Sequence, residues 1–187
     1  PNKYFIVPLI LLSIPSAVGI HTVTAFVYNG LAARPFWNAS ILAPRFLASA
    51  FCSGPALMIL IFQVLRKTLD VKIEDRAILK LAEIIVYAMA INLFLLLAEV
   101  FKEYHSGTIH LASMKYLFQG LHGHSGLVPW IWTAILFNTA AFLLFLFPKT
   151  RNNLFILNIG CVLIFIGVWI EKGMGLVIPG FIPDTAG

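Results

Sequence analysis

His21 lies inside a long apolar run and is followed by Tyr28 and Asn29, a set of side chains that could bind a quinone. His21 and Tyr28 are seven positions apart, so they lie on the same face of an α-helix. An imidazole beside a phenol and an amide can hydrogen-bond a quinone carbonyl and exchange a proton with it. The alternative is an imidazole that only satisfies a neighbouring backbone carbonyl. No second histidine lies in an apolar run, so this segment predicts no haem with two axial histidines.

A second polar set, Glu83, Asn92 and Glu99, interrupts a run that is rich in leucine. Positions 92 and 99 share a helix face, so both side chains are expected to point into a helical bundle. There they predict a proton path, or a hydrogen bond between helices that only holds the bundle together. Glu83 follows Lys80 by three residues, and an ion pair with that lysine is the alternative to a role in proton transfer.

Helices that span a membrane must position these residues. The chain has 187 residues, of which 60% are hydrophobic and 11% charged, and its mean hydropathy is +0.92. A soluble domain usually carries about 25% charged residues. Since a spanning helix needs about 20 apolar residues, the sequence predicts an all-α integral membrane protein with about five such helices. They run from about 4–28, 46–65, 81–101, 128–147 and 154–170, in a single domain over residues 1–187.

The distribution of lysine and arginine predicts the orientation of these helices. The larger share lies in the segments around residues 66–80 and 149–151, which are therefore expected to face the cytoplasm. The loop of residues 102–127 and the C-terminal tail then lie on the outer, periplasmic side of the inner membrane. The basic residues form no stripe, so the net charge of +5 does not indicate nucleic-acid binding.

The segments on the outer side are apolar and aromatic, which is unusual for solvated loops. They predict a surface that packs under a partner subunit, with simple anchoring in the membrane interface as the alternative. The candidate contacts are Trp37, His110, Phe118, His122 and Phe181. His122 and His124 lack regular metal-ligand spacing, so no metal site is predicted. Phosphate-binding, nucleophile-elbow and CxxC motifs are also missing from the sequence.

Several strings of this sequence resemble the polysulfide reductase NrfD family of membrane subunits. The strings begin at His21 (HTVTAFVYNG), Arg34 (RPFWN), Leu42 (LAPRFLASAF), Leu127 (LVPWIW) and Ile170 (IEKGMGLVIPGFIPD). They look most like the branch that includes DsrP and HmcC, membrane subunits of redox complexes in sulfate reducers. Family members are about twice this length, so we expect the chain to be a middle-to-C-terminal portion of such a protein.

The resemblance implies a subunit that exchanges electrons between menaquinone or menaquinol and a periplasmic ferredoxin-like iron–sulfur subunit, with proton transfer. It implies no haem or iron–sulfur cluster in this chain, and it implies membrane lipid, cytochrome and other membrane subunits as partners. By position, His21, Arg45 and Glu99 are carried over to the outer quinone pocket, and Glu83 with Asn92 to proton transfer. From the residues themselves, two orientations stay open for Arg34 and Arg45: each can anchor at lipid headgroups or point inward to hold a carboxylate such as Glu99.

Two other functions remain open from the sequence. A purely structural anchor for redox partners would tolerate changes to the intramembrane histidine and glutamates. A secondary transporter is suggested by Pro8, Pro15 and Gly19 in the first run, because interrupted helices and buried carboxylates are common in transporters. The paired interruptions typical of transporters are not visible in the sequence.

Overall fold

The computed structural model describes residues 3–31, 33–69, 71–108 and 110–182, so the end of the predicted C-terminal tail lies outside the described residues. The described part is helical and confirms the predicted all-α membrane architecture. Five of its helices, α1, α2, α3, α5 and α7, are long and apolar enough to span a membrane. The helices are α1 (Lys3–Asn29), α2 (Leu42–Thr68), α3 (Asp75–Ser106), α4 (Leu111–Phe118), α5 (Val128–Leu146), α6 (Pro148–Arg151) and α7 (Leu154–Lys172).

Two of the spanning helices are longer than the sequence predicts. Helix α2 begins at Leu42 rather than 46, and α3 covers Asp75–Ser106 rather than 81–101. The predicted loop of residues 102–127 is therefore half helical, because it contains the last turn of α3 and all of α4. Hydropathy marks only the part of a helix that fits the hydrocarbon layer, whereas charged residues continue the helix into the interface. Gly107, with a φ of 59°, ends α3 in the left-handed conformation.

The spanning helices pack in an up-and-down order, with α2 against α3 and α7, α5 against α7, and α1 against α2. We call one end of the bundle the aromatic end; α1, α3 and α7 end there, and α2 and α5 begin there. The opposite end is called the basic end. The part of the bundle nearer the basic end has a core of aliphatic and aromatic side chains from α2, α3, α5 and α7, including Ile59, Ile85, Met89, Phe145 and Ile164.

Trp37 closes the aromatic end. Its indole Nε1 donates to the carbonyl oxygen of Leu176 at 2.9 Å, and its ring meets those of Tyr28 and Phe181 edge-on. Gly180 lies so close to the indole that a Cβ there would overlap it. Helix α7 continues into this contact through a π-helical turn, Gly173–Val177, and a 3₁₀ turn, Pro179–Phe181. The contact fixes the loop after α1 against the segment after α7, and with them the ends of three helices.

Helices α5 and α7 approach closely at Gly160, which leads to a stability prediction. The ring of Phe145 covers Gly160 so tightly that an added Cβ would overlap it, whereas nothing lies within 4 Å of a Cβ at Gly19. We expect Gly160→Ala to destabilise the protein by about 1–3 kcal/mol through overpacking. The matched change Gly19→Ala, also within a helix, should be neutral or stabilising. Unfolding of both variants in detergent measures the difference, and equal stabilities would contradict the packing described here.

Candidate functional site

Glu171 is the centre of a buried group of polar side chains near the aromatic end. It is 1% exposed, and its carboxylate accepts hydrogen bonds from three other helices and from its neighbour Lys172. Oε1 accepts from Nη2 of Arg45 at 2.9 Å and from Nζ of Lys172 at 3.0 Å. Oε2 accepts from Nδ2 of Asn138 at 3.0 Å and of Asn92 at 3.3 Å. One carboxylate thereby connects α2, α3, α5 and α7.

Arg45 joins a second carboxylate to this centre. Its Nη1 is paired with Oε2 of Glu99, and its Nη2 is paired with Glu171, so one guanidinium bridges α3 and α7. Of the two orientations that the sequence leaves open for Arg45, the structure shows the inward one. We call Arg45, Glu99, Glu171 and Lys172, together with the amides of Asn92 and Asn138, the ionic cluster.

The ionic cluster balances its formal charges. Arg45 and Lys172 supply two cations, and Glu99 and Glu171 supply two anions. Arg45 and both glutamates are buried, and the Lys172 side chain is 18% exposed. Buried ions are stable only when paired and hydrogen-bonded, and removal of one partner leaves an uncompensated charge. A proton added to either carboxylate would therefore make the cluster net positive, so its electrostatics respond to proton uptake.

Two amides surround the Glu171 carboxylate. Asn92 and Asn138 both donate through Nδ2, while their Oδ1 atoms have no hydrogen-bond partner among the described residues. Asn138 lies against Gly167 of α7, where a Cβ would overlap its Oδ1. An amide can turn its NH₂ to a carboxylate or its oxygen to a protonated carboxyl group. The two asparagines are therefore chemically suited to Glu171 in either protonation state.

A cavity of about 290 Å³ lies beside the ionic cluster, between α1, α2 and α7. Its polar lining comes from His21 and Thr24 of α1, Ser49 and Ser53 of α2, and Lys172 of α7. Lys172 is also a member of the ionic cluster, and its Nζ lies 5.8 Å from the centroid of the Phe46 ring, which lines the same cavity. The cavity is thus in direct contact with the ionic cluster through one side chain.

A second cavity, about 390 Å³ in volume, lies along the packing seam of α1 and α2. Its lining is almost entirely apolar and includes Ile14, Leu47, Phe51 and Met58. His21 and Ala50 line both cavities. The structure thus places His21 between a polar cavity and an apolar groove, which is the arrangement that a polar head group with a hydrocarbon tail requires.

His21 has one ring nitrogen committed to the backbone. Its Nδ1 lies 2.9 Å from the carbonyl oxygen of Ala17, one turn earlier in α1. A carbonyl oxygen can only accept, so Nδ1 carries the proton in a neutral ring and Nε2 keeps its lone pair. Nε2 is then available to accept a proton from a ligand in the cavity. The backbone contact that the sequence offers as an alternative therefore exists, and it coexists with a position at the cavity wall.

The other predicted quinone ligands lie elsewhere. Arg45 and Glu99 are enclosed in the ionic cluster and do not line either cavity. The Tyr28 ring packs on Trp37 and on Phe46, at centroid distances of 5.0 Å and 6.1 Å. Asn29 is half-buried, and neither it nor Tyr28 lines the two cavities. Of the five predicted residues, His21 is the one that lines these two cavities.

Glu83 lies apart from Asn92 and from the rest of the ionic cluster. It lies near the basic end, where it pairs with Lys80 at 2.6 Å and approaches Arg151 at 3.9 Å. Asn92 lies nine residues later on α3, about 13 Å along the helix axis. The buried side chains of Ile85 and Met89, on the helix between them, belong to the apolar core. No polar connection joins Glu83 to the ionic cluster within the described residues.

The five predicted partner contacts differ in exposure. Trp37 is only 4% exposed, because residues of this chain cover its indole, so its ring offers little surface to another protein. Phe181 is 59% exposed, and His122 is exposed in a turn where its φ is 49°. His110 and Phe118 are half-buried at the two ends of α4.

Sequence reasoning missed Glu171, Lys172 and Asn138. Glu171 and Lys172 resemble an ordinary polar stop at the end of an apolar run, and Asn138 is a single amide within one. Asn138 could have been identified, because it interrupts an otherwise apolar run. Polar side chains within a membrane span are costly and therefore indicate a functional or interhelical contact. No pattern in the sequence indicates that α7 continues beyond residue 170. The sequence therefore does not reveal how deeply Glu171 lies in the bundle.

The bridging role of Arg45 predicts a large loss of stability on its removal. Arg45→Ala leaves Glu99 and Glu171 without their shared cation, and we expect a destabilisation of about 3–5 kcal/mol. Arg66→Ala, in the same helix, removes a surface pair with Asp75 at 2.6 Å and should have little effect. Denaturant unfolding in detergent compares the two, and similar losses would show that the bridge does not stabilise the bundle.

The chain is similar in sequence to known membrane proteins. The family model described as "Polysulphide reductase, NrfD" matches residues 2–182. A Halobacterium salinarum protein, provisionally named as a membrane component of dimethyl sulfoxide reductase, is 27% identical over 170 residues, which are 90% of this chain. The chain spans 38% of that relative's length. The family match confirms the resemblance seen in the sequence strings, and the chain belongs to the polysulphide reductase NrfD family of multi-pass membrane proteins.

Proposed function

We propose that this chain forms the quinone-reactive part of a membrane redox subunit, which exchanges electrons between menaquinone or menaquinol and an iron–sulfur subunit. The observation that carries the proposal is the cavity between α1, α2 and α7, which both the imidazole of His21 and the ammonium of Lys172 line beside the ionic cluster. A base and a cation at one cavity wall are the groups that a quinol hydroxyl and a quinone carbonyl need.

The cavity suits a quinone head group in both chemistry and surroundings. Nε2 of His21 accepts a hydrogen bond from a quinol hydroxyl, and Nζ of Lys172 donates to a quinone oxygen. The Phe46 ring gives the head group an aromatic wall. The apolar groove between α1 and α2 begins at the same histidine and provides a lining for an isoprenoid tail. Arg45 and Glu99 act one step further away, by holding Glu171 and Lys172 in place.

Electrostatics support proton-coupled electron transfer at this cavity. A quinol releases two protons when it gives up two electrons, so the site needs groups that accept protons without building up charge. The ionic cluster is formally neutral and includes two carboxylates, one of them bonded directly to Lys172 at the cavity wall. Protonation of a carboxylate leaves a net positive cluster, which stabilises an anionic form of the quinone next to it.

We place the partner subunit on the aromatic end, which the distribution of basic residues puts on the periplasmic side of the cytoplasmic membrane. The ionic cluster and the cavity lie toward that end, which shortens the path for electrons. Phe181 and His122 offer exposed contacts there. The relative's name, which assigns it to the membrane part of a dimethyl sulfoxide reductase, supports a role beside a redox partner. Cytochrome subunits, sulfur metabolism and the likeness to DsrP remain predictions.

Binding of a menaquinone analogue to the intact complex tests the cavity. We expect His21→Ala to weaken binding by about 10–100-fold, because one hydrogen bond to the head group is lost. Electron transfer from menaquinol to the iron–sulfur partner should fall in parallel. Turnover measured at increasing concentrations of the analogue gives both the electron-transfer rate and the affinity for the analogue.

His105→Ala is the matched control for this experiment. His105 is exposed and stacks on Phe101, with ring centroids 5.5 Å apart, and it contacts neither cavity. We expect its variant to bind the analogue like the unaltered protein. Normal binding in His21→Ala would move the quinone site away from α1, and absence of binding in the unaltered complex would favour a purely structural anchor.

Phe181 tests the proposed docking side. Phe181→Ala removes an exposed aromatic ring. We expect it to weaken association with the iron–sulfur subunit by about tenfold or more, as for a central interface residue. Phe155→Ala removes a still more exposed ring at the start of α7, toward the basic end, and should leave association unchanged. Co-purification and titration of the partner measure the effect, and unchanged analogue affinity in both variants excludes a folding defect. A loss with Phe155→Ala instead would place the partner on the basic end.

A further inference from the structure

Glu103 is a buried carboxylate that the quinone cavity and the ionic cluster do not explain. It lies in the last turn of α3 and is 2% exposed. A negative charge at a helix C-terminus opposes the helix dipole, and burial adds a desolvation cost. A residue chosen only for stability would not be an anion at this position. The position therefore calls for a role that depends on the carboxylate itself.

Glu103 has contacts in two directions. Its Oε2 accepts a hydrogen bond from the hydroxyl of Thr108, and its Oε1 lies 3.1 Å from Nζ of Lys102. The Lys102 side chain is 59% exposed at the aromatic end. One oxygen of a buried carboxylate is thus in contact with a cation that reaches the surface.

On its inner side Glu103 follows Glu99 by one helical turn. Positions four apart lie on the same helix face with their Cβ atoms about 5–6 Å apart, and both side chains are buried. Glu99 shares the guanidinium of Arg45 with Glu171, and Glu171 is bonded to Lys172 at the cavity wall. A series of charged groups therefore runs from the cavity through Lys172, Glu171, Arg45 and Glu99, and Glu103 continues it one helical turn later toward the surface at the aromatic end.

In the opposite direction the described residues offer no such series. Ile85, Ala88 and Met89 of α3, with Phe145 and Ile164 of α5 and α7, fill the interior beyond Asn92. Glu83 lies beyond this apolar core and is paired with surface cations. Within this part of the chain, the ionisable groups lead from the cavity to one end of the bundle.

We propose that Glu103 is the proton-transfer residue through which the quinone cavity exchanges protons with solvent at the aromatic end. The proposal rests on the quinone function argued above. For each quinol oxygen, the O–H bond breaks, one electron passes to the iron–sulfur partner, and Nε2 of His21 accepts the proton. That proton then passes by way of Lys172, which lines the same cavity, to Glu171. Glu99 and Glu103 then carry a proton outward to water. Quinone reduction uses the same groups in the reverse order.

The test is turnover of the complete complex in proteoliposomes, with menaquinol as substrate and reduction of the iron–sulfur partner as readout. We expect Glu103→Gln to lower kcat by roughly 100-fold, the lower end of what a positioned proton-transfer group contributes. KM for menaquinol and affinity for a menaquinone analogue should not change, because Glu103 does not line the cavity. Glu103→Asp should recover much of the rate, since it retains a carboxylate.

Thr108→Val tests whether the turnover rate depends on the Glu103 carboxylate itself or only on a structural contact at that site. It removes the hydroxyl that bonds Glu103 but leaves the carboxylate, so it should retain most of the turnover rate. An unchanged kcat in Glu103→Gln would overturn the proposal, as would equal losses in Glu103→Gln and Glu103→Asp. A loss confined to Glu83→Gln would also overturn it, because protons would then pass to the basic end. If the unaltered complex binds no analogue, the quinone function itself fails, whereas intact binding with normal Glu103→Gln turnover refutes only the proton route.

Discussion

The bridge from Glu171 through Arg45 to Glu99 is the interaction on which the arrangement of this bundle depends. In a lipid environment, apolar side chains gain little by leaving the solvent, so helix association relies on close packing and on polar contacts between helices. Here one guanidinium joins α2, α3 and α7, and Asn138 brings α5 into the same contact. Burial makes each member dependent on the others, because a lost partner leaves a charge without compensation. The bridge thus fixes the register of α2, α3, α5 and α7 near the aromatic end.

The division of the bundle into two chemically different parts follows from this contact. Toward the basic end, the interior is an apolar core in which Gly160 lets α5 and α7 approach closely. Toward the aromatic end, the ionic cluster, the cavity beside His21 and the buried Glu103 replace it. The π-helical turn after Lys172 and the contact of Trp37 with Leu176 hold this second part together. Irregular helix ends of this kind are common where a helix supports a functional site. The buried charged groups and the irregular helix ends are therefore found together at the aromatic end.

Much of the fold was readable from hydropathy, because a spanning helix must be apolar over a length set by the bilayer. The five spans and the inward face shared by Asn92 and Glu99 follow from that rule and from helical periodicity. The helix ends were less accurate, since charged residues such as those at the end of α3 extend helices beyond the hydrocarbon layer. His21 stood out as a candidate because an ionisable side chain within a membrane span is energetically costly. The NrfD family was visible in strings of residues rather than in any physical pattern.

By itself, the sequence determined the membrane class, the number of spans and the set of polar side chains that a bilayer makes costly. Only the tertiary structure decided which of them meet. Arg45 could have faced lipid headgroups, and its inward position follows from carboxylates that α3 and α7 bring to it from distant parts of the chain. Glu171 resembled a helix stop and became the centre of the cluster because α7 continues past it. Glu83 and Asn92 share a helix, yet an apolar core separates them. Periodicity reports the face of one helix, whereas these outcomes depend on how separate helices align.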